Sequence, residues 1–400
     1  MRLFLLMVGL LGWLNPHYGQ FNLNRTLTHQ ELERQYVIHF PPGYSGMQAI
    51  PVVLFLHGGS GNAQSAQGFT GFNQVANREN FLVVYPQGYT EVSSNSYVWA
   101  DGRGTAADRA GIDDVGFLSK LIDTLLINYT IDPERIYLCG YSNGSFLTQR
   151  MAFEGNEPFA AMGTLGSTTA TFFIEQGDPG RPIPMFFLFG TEDPFVPYEG
   201  GIVALSSTDS IVGIEESVAY WRQQNDCRTA LPPEPLPDLV PDDSSTVTVF
   251  RYTDCACNQS EVVYYRVDGA GHTWPGIELP AYEFIAGQTN EDILASQELW
   301  DFFREYTRCE TTVSATGPYN NPQASLFPNP TARSFSIQMK NTEARSVSVY
   351  SSTGQLMVHF SGPFRQKSIA VNDWAPGLYV IRIQTKDDQI VTFRLVRSVP

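Results

Sequence analysis

An α/β fold followed by a small all-β sandwich is the architecture predicted by this 400-residue sequence. Three observations lead there. From Arg34 onward, apolar strand-like runs alternate with helical patterns, the order that builds a largely parallel sheet covered on both faces. After Cys309, residues 311–323 are rich in Thr, Pro, Asn and Gly, and short alternating runs without a helix follow them. The charge also changes sign. Residues 324–400 carry nine Lys or Arg against four Asp or Glu, whereas the first 323 residues hold 16 basic against 37 acidic, net −21.

Taken in order, the chain opens with Met1-Arg2 and an apolar run from Leu3 to Leu14, which reads as a secretory signal peptide over residues 1–19. The run is too short to cross a bilayer, which needs about 20 residues, so the mature protein is expected to carry no membrane span. Residues 20–310 form the α/β module. Its buried strands are expected at Gln35–Phe40, Val52–Leu56, Leu82–Tyr85, Arg135–Leu138, Met185–Phe189 and Val262–Val267. Helices are expected over Val115–Tyr129, Ser145–Phe153, Ile214–Asn225 and Ile293–Thr307. Asp113 or Asp114 can cap the first of these, since a carboxylate accepts from free N–H groups at the positive end of the helix dipole. Residues 311–323 are a linker. Over 324–400, strands are expected at Ser334–Met339, Ser346–Tyr350, Gln355–Phe360, Lys367–Val371, Leu378–Gln384 and Ile390–Leu395, a sandwich pattern.

Composition narrows the function. With 42% hydrophobic and 16% charged residues the chain is globular. Its net charge of −16 argues against nucleic acid, which needs a basic surface. Five cysteines in an exported chain point to disulfides. The odd count leaves one over, and Cys139, inside an apolar strand, is the candidate; Cys227 is expected to pair with Cys255 or Cys257. Cys255 and Cys257 do not make a zinc pattern, because no second pair has ligand spacing. No metal or cofactor is expected.

The chemistry-bearing sequence is Gly140-Tyr141-Ser142-Asn143-Gly144, set between a strand and a helix. A serine on such a turn is held with its oxygen exposed, and the flanking glycines let neighbouring chains come close. Its hydroxyl needs a base, and the base needs a group to orient it; with this turn the chain order is Ser, acid, His. His272 is the only histidine between Ser142 and residue 324 and follows the strand ending at Val267. Asp193 lies just beyond the strand Met185–Phe189, at the end where catalytic groups gather in open α/β sheets, with Glu192 as the alternative acid. The N–H groups that would hold an oxyanion are assigned to Gly59 (or Gly58) in His57-Gly58-Gly59-Ser60 and to Asn143 after the serine. Trp99 and Trp274 are candidates to line a substrate cleft. His57 is expected to be structural.

Further motifs accompany these in order: Val83-Val84-Tyr85-Pro86-Gln87-Gly88, Asp113-Asp114-Val115-Gly116-Phe117, Gly190-Thr191-Glu192-Asp193 with Val196-Pro197-Tyr198, and Gly271-His272-Thr273-Trp274-Pro275-Gly276. Together they make the first module resemble the extracellular polyhydroxybutyrate depolymerase and feruloyl esterase family. The resemblance implies an α/β-hydrolase fold, a Ser142, Asp193, His272 triad, and a secreted serine esterase acting on esters of polyester or plant polysaccharide. One departure is Gly144-Ser145, where the family commonly has two glycines. A peptidase of the same fold and a non-catalytic surface carbohydrate-binding protein are the alternatives. The last module resembles the sorting domain of the type IX secretion system, through Leu326-Phe327-Pro328-Asn329-Pro330, Val349-Tyr350 with Gly354, and Ala375-Pro376-Gly377-Leu378-Tyr379-Val380. That resemblance implies delivery by the secretion machinery to the cell surface or medium.

Overall fold

The computed structural model describes residues 20–308, other than 92–95, 156–158, 177–178, 204–208 and 258–259, and residues 324–397, other than 328–330, 332, 341, 352–355, 376 and 387–389. The expected leader at 1–19 and linker at 311–323 lie outside the described residues. The chain divides into two compact units, Met1–Cys309 and Glu310–Pro400.

The first unit is built on one sheet. Its nine main strands are β1 (Phe21–His29), β2 (Leu32–Phe40), β3 (Ile50–Leu56), β4 (Leu82–Pro86), β5 (Ile131–Tyr141), β6 (Ala161–Leu165), β7 (Met185–Gly190), β8 (Thr246–Thr253) and β9 (Val262–Asp268). They lie in the order β1-β2-β4-β3-β5-β6-β7-β9-β8, with two short edge segments, Thr229–Ala230 and Glu234–Pro235, beside β8. From β4 through β9 every neighbouring pair is parallel, while β1, β2 and β8 join antiparallel.

The parallel strands are apolar throughout because both faces are covered. Val52, Leu54 and Leu56 of β3 belong to one core, and Val53 and Phe55 to the other. The first face is covered by α3 (Asp114–Asn128), α4 (Asn143–Glu154) and α5 (Ile214–Gln224), through residues such as Phe117, Leu121, Phe146 and Trp221. The second is covered by α1 (Ala63–Phe69), α2 (Phe72–Glu79) and α6 (Ala295–Phe303), through Ala66, Phe72, Leu299 and Trp300. This is the α/β-hydrolase arrangement expected.

Three main strands escaped the sequence reading. The β1–β2 hairpin turns at Gln30 and Glu31, both left-handed at φ 47° and 63°, a turn ordinarily signalled by Asn-Gly or Asp-Gly. The short β6 has no β-branched run, and its Gly163 admits the Leu299 side chain of α6. The strand β8 is only half-buried, with threonines between its valines. Of the two candidate caps of α3, Asp113 is the one used, its Oδ1 accepting the Gly116 N–H at 2.8 Å. Asp114 instead turns inward to Arg34, 2.5 Å away, and accepts the Ala100 N–H at 2.7 Å. Cys227 pairs with Cys255, settling the open choice, and Cys257 is itself disulfide-bonded. Cys139 is free and buried in β5, and its burial pushes the thiol pKa up.

Among the described residues, the second unit has two antiparallel sheets. One runs β10 (Ala324–Phe327), β11 (Ser334–Met339), then Gln366–Ala370. The other orders Leu356–Phe364, Ala344–Ser351, Gly377–Thr385 and Ile390–Arg397. Inward residues from both, including Leu326, Ile337, Val347 and Ile381, share one core, as two-layer β packing requires.

Candidate active site

Four loops leave the carboxyl ends of β3, β5, β7 and β9, and each carries an expected site residue. Ser142 lies between β5 and α4, with φ 53° and ψ −120°. A non-glycine residue in that region is strained and persists only where its surroundings impose it. Here they do. A Cβ on Gly140 would strike the Gly144 backbone, and one on Gly144 would strike the Leu56 carbonyl, so the turn closes only with glycines there. The Ser142 N–H is held by the Leu165 carbonyl at 2.9 Å. Ser145 is fully buried; its hydroxyl lies 2.5 Å from the Gly140 carbonyl and accepts the Leu165 N–H at 2.9 Å. Its hydroxyl thereby cross-links β5 and β6.

His272 and Asp193 come together from the β9 and β7 loops. His272 Nδ1 lies 2.5 Å from Asp193 Oδ2, with the two side chains 3% and 0% exposed. The other carboxylate oxygen of Asp193 accepts the Phe195 and Val196 N–H groups, each at 2.8 Å. With Oδ1 occupied by two N–H groups, Oδ2 is the oxygen left to face the imidazole. The Glu192 side chain is exposed, while its N–H is bonded to the Ala270 carbonyl at 2.9 Å, tying the two loops. The backbone of His272 is clamped from both sides: its N–H donates to Ala286 at 2.6 Å and its carbonyl accepts the Tyr141 hydroxyl at 2.6 Å. Burial pushes the Tyr141 pKa well up, keeping that hydroxyl a donor. Tyr141 and the imidazole lie ring to ring at 4.9 Å.

The proposed oxyanion donors lie on neighbouring loops. A Cβ on Gly59 would sit 3.8 Å from the Asn143 Cβ, and one on Gly58 3.4 Å from the Ser142 Cβ. Asn143 is the first residue of α4, so its N–H has no acceptor within the helix. His57 is fully buried, with Nδ1 against the Gly58 carbonyl at 2.8 Å and Nε2 accepting the Gly88 N–H at 3.0 Å. Desolvation lowers its pKa to about 4, so the ring is neutral and braces the loop.

The two tryptophans do not line a cleft. Trp99 is 0% and Trp274 2% exposed. Their indole N–H groups are spent on main-chain carbonyls, His57 at 2.8 Å and Thr70 at 3.1 Å. Both therefore hold loops instead of meeting solvent. What the sequence reading missed is Tyr141, in the variable position of the pentapeptide, and Asp101, which receives the Asn143 side-chain N–H at 2.6 Å. Neither carries a periodic or motif signal.

Known proteins bear on this geometry. Residues 34–173 match the family described as esterase PHB depolymerase, and residues 325–397 match the secretion system C-terminal sorting domain. A putative esterase, NocK, of Nocardia uniformis subsp. tsuyamanensis is 28% identical over 67% of this chain and 78% of its own length. A bifunctional acetylxylan esterase/xylanase of Neocallimastix patriciarum is 25% identical over 67% of this chain, which spans only 32% of that protein. A poly(3-hydroxyalkanoate) depolymerase of Paucimonas lemoignei is 26% identical over 58% of this chain and 57% of its own. Among solved structures, an acetyl xylan esterase from Aspergillus awamori matches 71% of this chain and 99% of its own at 13% identity and a TM-score of 0.47.

Proposed function

We propose that this chain, whose residues 34–173 match the esterase PHB depolymerase family, is an exported carboxylic-ester hydrolase acting through an acyl-enzyme on Ser142. The observation that carries the reading is the buried Asp193–His272 pair, 2.5 Å apart. With Nδ1 engaged by Asp193, Nε2 is the nitrogen left to act. In the reaction, Nε2 takes the Ser142 proton as the serine oxygen attacks the ester carbonyl carbon. Negative charge moves to the carbonyl oxygen, where the Gly59 and Asn143 N–H groups stabilise it. Collapse breaks the bond to the alcohol, which leaves with the proton from His272. Water then repeats the sequence and frees the acid. The chemistry needs no cofactor.

The surroundings favour a neutral, apolar substrate. The helix Pro280–Ala286, whose Ala286 carbonyl accepts the His272 N–H, exposes Phe284 at 92% and Ile285 at 57%, with Leu279 beside them. The net −21 of the first 323 residues disfavours polyanions. Of the materials named for the relatives above, poly(3-hydroxyalkanoate) fits both features, and acetylxylan fits the second. The sorting-domain match supports export, with the secretion machinery as partner.

A fluorophosphonate probe tests the reading directly: the wild-type protein is labelled and turns over p-nitrophenyl esters. Ser142→Ala is unlabelled and loses about 10⁴-fold or more in kcat. Labelling at another residue, or retention of a tenth of the activity, removes Ser142 from the mechanism. Methyl ferulate, acetylated xylan and polyhydroxybutyrate films then separate the substrate classes.

A further inference from the structure

We propose that Trp99 and Asp101 are positioning residues that set the spacing between the two loops donating to the oxyanion. The proposal rests on the acyl-enzyme reading above. Trp99 holds both loops at once. Its indole N–H donates to the His57 carbonyl at 2.8 Å, immediately before Gly58 and Gly59. Its main-chain N–H donates to Asn143 Oδ1 at 2.7 Å, and its carbonyl receives Asn143 Nδ2 at 3.3 Å.

Asp101 completes the hold. Its Oδ2 accepts Asn143 Nδ2 at 2.6 Å and the Arg103 guanidinium at 2.6 Å. The orientation of the Asn143 amide is thereby dictated, because only its oxygen can face the Trp99 N–H and only its nitrogen can face a carboxylate. Arg103 in turn lies 3.3 Å over the Phe146 ring of α4, one turn beyond Asn143.

All five groups are buried: His57 at 1%, Trp99 at 0%, Asp101 at 0%, Arg103 at 1% and Asn143 at 6%. Burying an ion pair and a polar network is a poor way to stabilise a fold, since apolar residues of like volume do as well or better. What such a network supplies is fixed geometry. Oxyanion donors act only when preset at the position the developing charge will occupy, and the network converges on the two loops that carry them.

The test replaces Trp99→Phe, which removes the indole donor, and Asn143→Ala, which removes the amide but keeps the main-chain N–H. Rates are expressed per fluorophosphonate-labelled site, so misfolded protein is not counted. Trp99→Phe should lose about tenfold and Asn143→Ala about 10²-fold in kcat, approaching the loss of a donor itself. KM should stay within about twofold, and affinity for a boronate that mimics the tetrahedral state should fall in parallel with kcat. A merely structural role lowers the labelled fraction and leaves these ratios alone. Should Trp99→Phe fail to fold, benzothienylalanine at position 99 keeps the ring shape without the N–H and is read the same way. Unchanged kcat and boronate affinity per labelled site would overturn the clamp while leaving the serine reading intact. A wild-type protein that the probe does not label overturns both.

Discussion

Ser142 stands at φ 53° in a turn that closes because Gly140 and Gly144 have no Cβ to strike the Gly144 backbone and the Leu56 carbonyl. Asp193 stands buried because its loop returns two N–H groups to it. These placements separate Asp193 from its exposed neighbour Glu192. Asp193→Asn is expected to cost about 10³–10⁴-fold in kcat by presenting the wrong face of His272 to the serine. Glu192→Gln should change kcat by less than a few fold, and a reversal of the two effects would move the acid one residue back. His57 yields a prediction of a different kind. Its folded pKa of about 4 lies below the ordinary value of 6.5, so the folded state favours the neutral ring. The resulting stability is complete above about pH 6.5 and is lost as the pH falls, fully so by about pH 4, a difference on the order of 3 kcal/mol. Denaturant unfolding across that range should show the loss, and His57→Gln, which keeps an acceptor for Gly88 but cannot titrate, should flatten it.

At the scale of elements, the site depends on loops tied to one another more than on any helix face. The β7 and β9 loops are joined through Thr191 to Val267 and Glu192 to Ala270, at 3.0 and 2.9 Å. Tyr141 and the helix Pro280–Ala286 grip His272 from its two main-chain sides. That helix is unusual for its exposed apolar end. A Phe284 that is 92% exposed contributes little to the core, so Phe284→Ser should leave thermal stability nearly unchanged. If the helix end meets an apolar substrate, the substitution should slow hydrolysis of polyester film about three- to tenfold, in line with the 1.5–3 kcal/mol of one buried phenyl shared between film and water. Soluble p-nitrophenyl acetate should be hydrolysed at an unaltered rate. Equal losses on both substrates would place Phe284 in the fold instead.

For the whole molecule, the two units have separate cores, and every proposed site residue belongs to the first. Units that share no core can be separated with little newly exposed apolar surface. A chain of residues 20–310 should therefore match the longer form within about twofold in kcat/KM on soluble esters. Deletion of residues 324–400 in the producing cell should stop delivery outside it. Loss of polymer hydrolysis alone in the short form would assign the second unit to substrate anchoring. Loss on every substrate would end the idea of independent units.

The sequence by itself determined the α/β order, the strands buried on both faces and the pentapeptide between strand and helix, because these are local matters of periodicity and turn chemistry. It also singled out His272, since no other histidine lies in the stretch where a base was needed. Tertiary structure decided the rest. Whether Cys227 meets Cys255 or Cys257, and whether Asp113 or Asp114 caps α3, depends on distances between segments that no local pattern encodes. The β1–β2 hairpin turned on Gln30 and Glu31, residues whose own preferences oppose the left-handed region, and pairing along nine residues of each strand overrides them. Trp99 and Trp274 illustrate the same limit. A tryptophan near a proposed catalytic loop is equally suited to a cleft wall or an internal strut, and only the carbonyls of His57 and Thr70, brought within reach of the two indole N–H groups by the folded chain, made them struts.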